Sequence, residues 1–361
     1  MKIVLSYLIM FKKIFLILKI ILVNFIFIEL FCFALILFSI IPSGVSLMVS
    51  AVANKEYSLI HFPDRKYRFS SECWESQVYY NKDGNRQYAN NPKAIKVALL
   101  GDSMTENAQL SDGYDLGSLL QKKLGTNYEV TNFGVFSTGI YDHLQKYINV
   151  ISNNYDILIY FPDPNDITDN HISRNRASQN KFEIIDGKIV KVKTDEQFWI
   201  EYFSNYNKFK RKYLFYVKKY SSTYKAYWTI KERLSYSNQN KELKKLSLQD
   251  HIKKLNEPII IYEYFSKKFK QEFKKNNQKY FVIPTLNSSQ FTNDQFNKYQ
   301  YNFLTKVWSG DNFYDPYPEA VNYMKNKNIF EFPYLGWTCD SHYSHAGADF
   351  YSSLLAKKIL N

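Results

Sequence analysis

The feature that most constrains the fold is an alternation of short apolar runs with amphipathic segments, which begins near residue 95. Short apolar runs that end in turn residues are typical of strands buried in a parallel sheet. The predicted strands are Ile95–Leu100, Tyr128–Gly134, Tyr155–Phe161, Lys279–Thr285 and a short one near Ile329–Tyr334. The intervening segments have helical spacing, and the last predicted helix covers about 345–360. This alternation predicts a three-layer αβα sandwich with a central parallel sheet.

The N-terminal segment differs from the rest of the chain, because Ile20–Ile41 is almost entirely apolar, with Glu29 as its only charged residue and Asn24 as a polar interruption. A stretch of this length suffices to cross a hydrocarbon core of about 30 Å. Four lysines precede it and no lysine or arginine follows until Lys55, which places the N-terminus in the cytoplasm and the bulk of the chain outside it. A carboxylate in the membrane is costly, so Glu29 is expected to pair or to be protonated.

We therefore predict a cytoplasmic stub over 1–19 and an uncleaved transmembrane signal anchor over 20–41. A cleavable signal peptide is the alternative, since Ala51–Ala53 resembles a cleavage site. The apolar segment is longer than a usual signal core of about 7–15 residues, which favours the anchor.

The rest of the chain divides into a lead-in segment over 42–94 and a domain over 95–361. The lead-in segment has several turn signals and is expected to lie on the domain surface. An insertion at about 171–256 interrupts the alternation; it opens with a hairpin that turns at Asp186-Gly187, and two basic, tyrosine-rich helical segments follow. We expect the insertion to cover one end of the sheet.

The formal net charge of +13 favours contact with anionic surfaces. Lysines are densest over Lys208–Lys279, but no DNA- or RNA-binding motif accompanies them. A solvated basic face is the simpler interpretation, and binding of anionic glycans or lipid headgroups is the alternative. The sequence predicts no nucleic-acid partner.

Four short motifs follow predicted strands and are therefore expected to face one crevice, because ligands gather beyond the carboxyl ends of parallel strands. Ser103 follows the first strand in Gly-Asp-Ser, Gly134 ends the second, and Asn165 follows the third. Cys339–Gly347, "CDSHYSHAG", follows the last.

This set of residues matches the needs of ester chemistry. A serine hydroxyl is a weak nucleophile until an imidazole accepts its proton, and a carboxylate must orient that imidazole. Ser103 is the predicted nucleophile, His342 the base and Asp340 the orienting acid. The predicted oxyanion hole consists of the Ser103 and Gly134 amides and the Asn165 side chain.

With these four motifs in order, the chain resembles the SGNH or GDSL-type hydrolases over about residues 81–359. The resemblance implies a flavodoxin-like αβα fold and the same Ser-His-Asp roles. Two departures stand out: Asp163 occupies a position where the family usually has glycine, and one residue rather than two separates Asp340 from His342. The shorter spacing resembles that of alginate-type polysaccharide O-acetyltransferases.

Each motif also has a purely structural interpretation. Ser103 can be a helix N-cap, Gly134 a tight turn and Asn165 an Asx-turn. His345 competes with His342 as the base, although its place at a helix start suits an exposed residue. The side chains expected to act only in local structure or packing are Asp102, Asp166, Asp169, Asn170, His61, His143, His171 and His251.

The cysteines leave one question open, which is whether Cys73 and Cys339 form a disulfide. No CxxC or histidine-rich spacing indicates a metal, and no cofactor is predicted.

The sequence thus predicts a membrane-anchored, extracytoplasmic serine esterase that acts on ester groups, O-acetyl above all, of acylated saccharides or lipid-linked glycans. A polysaccharide O-acyltransferase with the same triad is the first alternative, and a non-catalytic glycan-binding scaffold is the second.

Overall fold

The computed structural model describes the chain apart from two sets of residues. Undescribed altogether are 1, 38–50, 55–57, 71–73, 174–179, 193–220, 225, 228–229, 231–246, 277, 287–290, 292–293, 311, 327–334 and 338–339. The backbone alone is described for 2–11, 36–37, 51–54, 58, 70, 337 and 340.

The described part contains strands in a central sheet and in four small hairpins or pairs. The strands are β1 Ala51–Asn54, β2 Ser58–His61, β3 Arg65–Ser70, β4 Glu75–Tyr80, β5 Arg86–Gln87, β6 Ile95–Gly101, β7 Tyr128–Asn132, β8 Ile157–Phe161, β9 Lys181–Ile185, β10 Lys188–Val192, β11 Lys279–Val282, β12 Gly336–Trp337 and β13 Asp340–Tyr343.

Helices alternate with the strands of the central sheet, as predicted, and the first helix of the chain precedes all the strands. They are α1 Lys2–Leu37, α2 Ser103–Glu106, α3 Leu116–Leu124, α4 Ile140–Lys146 with a π-helical continuation Tyr147–Ile151, α5 Asp166–Asp169, α6 Leu248–Lys253, α7 Asn256–Asn276, α8 Gln295–Trp308, α9 Tyr317–Asn326 and α10 His345–Leu360.

The central sheet has the order β11-β8-β6-β7-β5. The pairings of β6 with β7, β6 with β8 and β8 with β11 are parallel, and β5 is an antiparallel edge. Because β6 is the first parallel strand and lies between β7 and β8, the strand order reverses between β6 and β8. The predicted fold class, a flavodoxin-like αβα sandwich, is confirmed.

Alternation of side chains along the strands divides the apolar core between the two faces of the sheet. Val97 and Leu99 of β6 pack with helices α3 and α10 on one face. Ala98 and Leu100 pack with α4, α7 and α8 on the other. Because each face of β6 packs against one of these two cores, the strand is apolar at consecutive positions. Packing on both faces also fixes the position of its carboxyl end.

The lead-in segment is more deeply integrated than the sequence predicts. Strands β3 and β4 form an antiparallel hairpin whose buried side chains pack against Ala108, just beyond α2. β5 joins the central sheet, and Arg86 in it is only 2% exposed. Its guanidinium binds the carboxylates of Asp112 and Asp115, each at 2.9 Å. Because these two carboxylates pair with the buried guanidinium, the polar strand β5 can lie inside the fold.

Two further predictions concern the periphery. The hairpin of β9 and β10 turns at Asp186 and Gly187, both with positive φ (49° and 72°) as a tight two-residue turn requires. The predicted strand near 329–334, most of the basic insertion, and Cys73 and Cys339 lie outside the described residues.

Helix α1 contains one candidate membrane span, Lys12–Leu35, with a mean hydropathy of 2.6. Its apolar side chains from Ile14 to Phe33 are largely exposed. The structure therefore has a helix long and apolar enough to cross a membrane or to act as a signal sequence.

Candidate active site

Ser103 lies at the sharp turn between β6 and α2, at the point where the strand order reverses. Asp102 caps α2, and its Oδ1 accepts a hydrogen bond from the Met104 amide at 2.9 Å. The turn requires Gly101, because a Cβ there would stand 2.1 Å from Thr105 Oγ1 and 2.8 Å from the Phe161 carbonyl oxygen. The cap and the glycine together present the Ser103 hydroxyl at the rim of the sheet.

The structure brings Ser103 and His342 together although 239 positions separate them in sequence. Ser103 Oγ lies 2.8 Å from His342 Nε2, the geometry of a hydroxyl that donates to an imidazole nitrogen. Asp102 Oδ2 is a second acceptor near Ser103 Oγ, but at 3.4 Å. The shorter contact therefore takes the hydroxyl proton. Both side chains are half-buried, which leaves the pair accessible to a substrate.

Asn107 links the segment that carries Ser103 to the segment that carries His342. It ends α2 in the left-handed conformation (φ 51°), and its Nδ2 donates to the Tyr343 carbonyl at 3.3 Å. Its Oδ1 accepts from the Leu116 amide at 3.0 Å. One side chain thus connects the segment that carries Ser103, the start of α3 and the residue after His342.

The segment that carries His342 differs from the prediction. The residues 340–343 form β13, which pairs antiparallel with β12, rather than a loop after a parallel strand. Asp340 pairs through its backbone with Trp337. Its side chain lies outside the described residues, so its predicted role as the orienting acid stays a prediction. Gly347 permits the close approach of this hairpin, since a Cβ there would stand 2.1 Å from the Leu335 carbonyl oxygen.

Asn165 lies beside Ser103 because both contact the same carboxylate. Asn165 Nδ2 donates to Asp102 Oδ2 at 2.9 Å. An amide nitrogen carries two hydrogens, so one donor remains for a ligand. The Ser103 amide is the first of α2, where no intrahelical acceptor exists. These two donors are the candidates for the oxyanion hole, and their role in it stays a prediction.

Gly134 does not supply the third donor in this structure. Its amide donates to Asn132 Oδ1 at 2.8 Å, an Asx-type turn that engages the hydrogen. The need for glycine is steric, since a Cβ would stand 2.2 Å from the Glu106 amide nitrogen of α2. The structure thus gives Gly134 a packing role, and its predicted place in the oxyanion hole stays a prediction.

Three buried carboxylates lie around the nucleophile. Burial, and then the charge of Asp163, raises the pKa of Asp102 to about 7. Burial also raises the pKa of Asp163, against hydrogen bonds from the Asn165 amide at 3.0 Å and from Thr285 Oγ1. Asp166 accepts from the Asp163 amide at 3.0 Å, and burial raises its pKa well above the ordinary value. The positive charge of a protonated His342 opposes the shifts of Asp102 and Asp163.

Sequence reasoning treated Asp163 only as a departure from the family pattern and did not consider Glu106. Glu106 is 1% exposed and accepts from Tyr80 Oη at 2.7 Å and the Phe136 amide at 2.8 Å. It also lies 3.2 Å from Nε2 of His61, which stacks on Tyr80. Burial raises the pKa of Glu106 to about 7. Glu106 stands three residues after Ser103, but nothing in the sequence signals its contacts with the lead-in segment.

Two other histidines have partners of their own, apart from the Ser103 hydroxyl. His143 is buried against Thr138 Oγ1 (3.0 Å), and burial lowers its pKa to about 3. His345 is exposed at the start of α10, with its ring edge-on to Tyr114 at 5.7 Å. Within the described residues no group of three metal-ligating side chains is found.

The Asp163→Asn variant is expected to flatten the dependence of stability on pH. Asp102 has an ordinary pKa of 3.8 and a folded value of about 7. The folded chain therefore retains a proton that the unfolded chain has released, and the free energy of unfolding falls as pH rises from about 4 to about 7. Removing the Asp163 charge lowers the pKa of Asp102. The pH range over which the folded chain retains the extra proton then becomes narrower.

Thermal unfolding between pH 4.5 and 8 measures this effect. Asp186→Asn, at an exposed hairpin turn, is the matched control. If Asp163→Asn and Asp186→Asn show the same pH slope as the parent chain, Asp163 does not influence Asp102.

Comparison with known proteins gives similar folds only. The sequence matches no protein-family model and no curated protein. An acetyl xylan esterase, AlAXEase, is similar in structure over 73% of this chain and 100% of its own, at 16% identity and a TM-score of 0.42. A lipase/acylhydrolase from Enterococcus faecalis aligns over 73% and 94%, at 12% identity and a TM-score of 0.36.

A third similar structure is a putative lipolytic protein of the G-D-S-L family from Desulfitobacterium hafniense DCB-2. It aligns over 73% of this chain and 98% of its own, at 11% identity and a TM-score of 0.36.

Proposed function

We propose that this protein is a membrane-anchored serine esterase of the SGNH hydrolase type. The observation that carries the proposal is the 2.8 Å contact between Ser103 Oγ and His342 Nε2 at the carboxyl end of β6. A non-catalytic scaffold has no need of an imidazole in contact with the serine that begins α2. Asp163, which departs from the family pattern, is held by its own hydrogen bonds, and the contact between Ser103 and His342 forms beside it.

The chemistry follows from this geometry. Ser103 Oγ attacks the ester carbonyl carbon as its proton passes to His342 Nε2. The Ser103 amide and the second hydrogen of Asn165 Nδ2 stabilise the oxyanion. The imidazolium then protonates the leaving alcohol, the C–O bond breaks, and an acyl-serine remains. Water, deprotonated by His342, attacks the acyl-serine, releases the carboxylic acid and restores the hydroxyl. Asp340 is the proposed orienting partner, from its spacing to His342.

The proposed substrates are O-acetyl esters on glycans or lipid-linked saccharides of the cell envelope. Helix α1 supports this assignment because an anchor with cytoplasmic lysines holds the site next to the membrane on the extracytoplasmic side. The Asp-x-His spacing, which resembles that of polysaccharide O-acetyltransferases, supports an acetyl group. It also supports acyl transfer to a sugar hydroxyl as the second candidate, since transfer and hydrolysis share the acyl-serine.

Labelling of the full chain in membrane vesicles with a fluorophosphonate tests the proposal. We expect one covalent adduct, on the peptide that contains Ser103, because the probe reacts with a serine whose proton an imidazole accepts. The heat-denatured chain and the Ser103→Ala chain are the controls, and neither is expected to react. Absence of an adduct on the native chain would contradict the assignment.

Hydrolysis and transfer are separated on the unlabelled protein, whose Ser103 hydroxyl is free to react. p-Nitrophenyl acetate acylates Ser103, and added oligosaccharide competes with water for the acyl group. Acetylated sugar as the main product favours transfer, and free acetate as the main product favours hydrolysis.

A further inference from the structure

The contact between helix α1 and the rest of the described chain is narrow. From Lys12 to Leu35 the side chains are exposed, except at Glu29, Cys32, Ala34 and Leu35. Three of these positions, Glu29, Cys32 and Leu35, recur at a spacing of three residues and form one stripe. Their partner is the docking segment, which we define as the described residues of 221–230. These residues are Ser221, Ser222, Thr223, Tyr224, Ala226, Tyr227 and Ile230.

The docking segment satisfies the one carboxylate of the candidate membrane span. Glu29 Oε1 accepts from the Ser221 hydroxyl. Glu29 Oε2 accepts from the Ser222 amide at 2.8 Å and the Thr223 amide at 3.2 Å. The first amides of a helical turn have no intrahelical acceptor. The carboxylate and the turn therefore complete each other's hydrogen bonding, which backbone groups require in lipid because water is absent.

The two faces of the docking segment suit two different neighbours. Ala226 packs on Cys32, and each is only 7% exposed, with Leu35 beside them. Tyr227 and Ile230 face away and are 59% and 57% exposed. Apolar side chains of this size, exposed next to an exposed apolar helix, form one continuous apolar surface.

The position of Glu29 fixes the depth of this contact. Glu29 lies six residues before Leu35, the end of the candidate span Lys12–Leu35. At about 1.5 Å per helical residue, the contact is about 9 Å inside the span. Whatever binds Glu29 at that depth is within the hydrocarbon layer when α1 spans it.

We propose that the docking segment is embedded in the extracytoplasmic leaflet beside α1, where Tyr227 and Ile230 contact lipid acyl chains and the first amides bind Glu29. The inference rests on the membrane placement of α1 in the proposed function, and not on the esterase chemistry. The embedded docking segment is then a second membrane attachment, in addition to α1. It holds the domain that carries Ser103 at the bilayer surface.

Thiol labelling of the full chain in phospholipid vesicles tests the proposal. A charged maleimide reacts with thiolates in water and not in hydrocarbon. The reagent is placed on both sides of the membrane, and mass spectrometry of the peptides separates the new thiol from the native cysteines. Three single variants are compared: Tyr227→Cys in the docking segment, Phe27→Cys on the exposed face of α1, and Tyr114→Cys, an exposed residue near the candidate active site.

We expect Tyr227→Cys and Phe27→Cys to react at least about tenfold more slowly than Tyr114→Cys, since thiolates do not form in hydrocarbon. Adding Glu29→Leu to Tyr227→Cys is expected to release the segment and restore fast labelling. Adding Glu29→Gln, which keeps an acceptor oxygen, is expected to preserve protection.

Fast labelling of Tyr227→Cys beside a protected Phe27→Cys overturns the proposal. Continued protection of Tyr227→Cys in the Glu29→Leu chain overturns it as well, because Glu29 then does not hold the segment. Fast labelling of Phe27→Cys instead shows that α1 does not span the bilayer, which overturns the anchor in the proposed function. Esterase activity in the same vesicles is a separate readout of the chemistry.

Discussion

The Ser103→Ala and His342→Ala chains are each expected to hydrolyse p-nitrophenyl acetate at least about 10⁴-fold more slowly than the parent chain. Without the hydroxyl there is no acyl-serine, and without the imidazole nothing accepts the proton across the 2.8 Å contact. Because the two groups act in one proton transfer, the double variant is expected to be no slower than the worse single variant.

The matched controls lie close in sequence to the tested residues. Ser341→Ala and His345→Ala change exposed residues on either side of His342, and both are expected to keep the parent rate within about threefold, as surface substitutions do. Circular dichroism of each chain checks that the fold is kept. If His345→Ala loses the rate and His342→Ala keeps it, the base has been assigned to the wrong histidine. Additive losses in the double variant would mean that the two groups do not act together.

The Gly134→Ala chain is expected to be destabilised by about 3 kcal/mol, the upper part of the usual range for overpacking. The new Cβ would stand 2.2 Å from the Glu106 amide nitrogen and 2.7 Å from the Thr105 carbonyl carbon, so the backbone of α2 must move. Since α2 carries Ser103, we also expect the esterase rate to fall. Denaturant unfolding and p-nitrophenyl acetate hydrolysis measure the two effects.

Gly113→Ala is the comparison for this effect. A Cβ at Gly113 meets no atom within 4 Å, but the residue has φ 92°. The cost there is conformational only, about 1–2 kcal/mol. A smaller loss of stability for Gly134→Ala than for Gly113→Ala would show that the approach of α2 to Gly134 is not tight, and would contradict the packing role.

The fold was open to prediction from sequence because its signal is local. Apolar runs such as Val97–Leu100 are buried on both faces of a parallel sheet, and this burial leaves a mark on consecutive residues. Ser103 was identifiable as a candidate because it follows β6, and strand ends converge at one rim of a parallel sheet. His342 was identifiable from its spacing to Asp340, although its segment is the antiparallel strand β13. The lead-in segment was misjudged because its burial depends on Arg86, a polar residue whose carboxylate partners lie further along the chain.

The sequence by itself determined the alternation of strands and helices from residue 95, the apolar length of α1 and the candidates for nucleophile and base, because periodicity and strand ends are recorded in neighbouring residues. Only the tertiary structure decided how Gly134 acts, which carboxylates surround Asp102 and what Glu29 binds. These features depend on residues far apart in the chain, such as Glu29 and Ser222. No pattern among neighbouring residues indicates that two such residues are in contact. A hydrogen bond or a steric contact acts over a few ångströms of space, whatever length of chain separates its two ends.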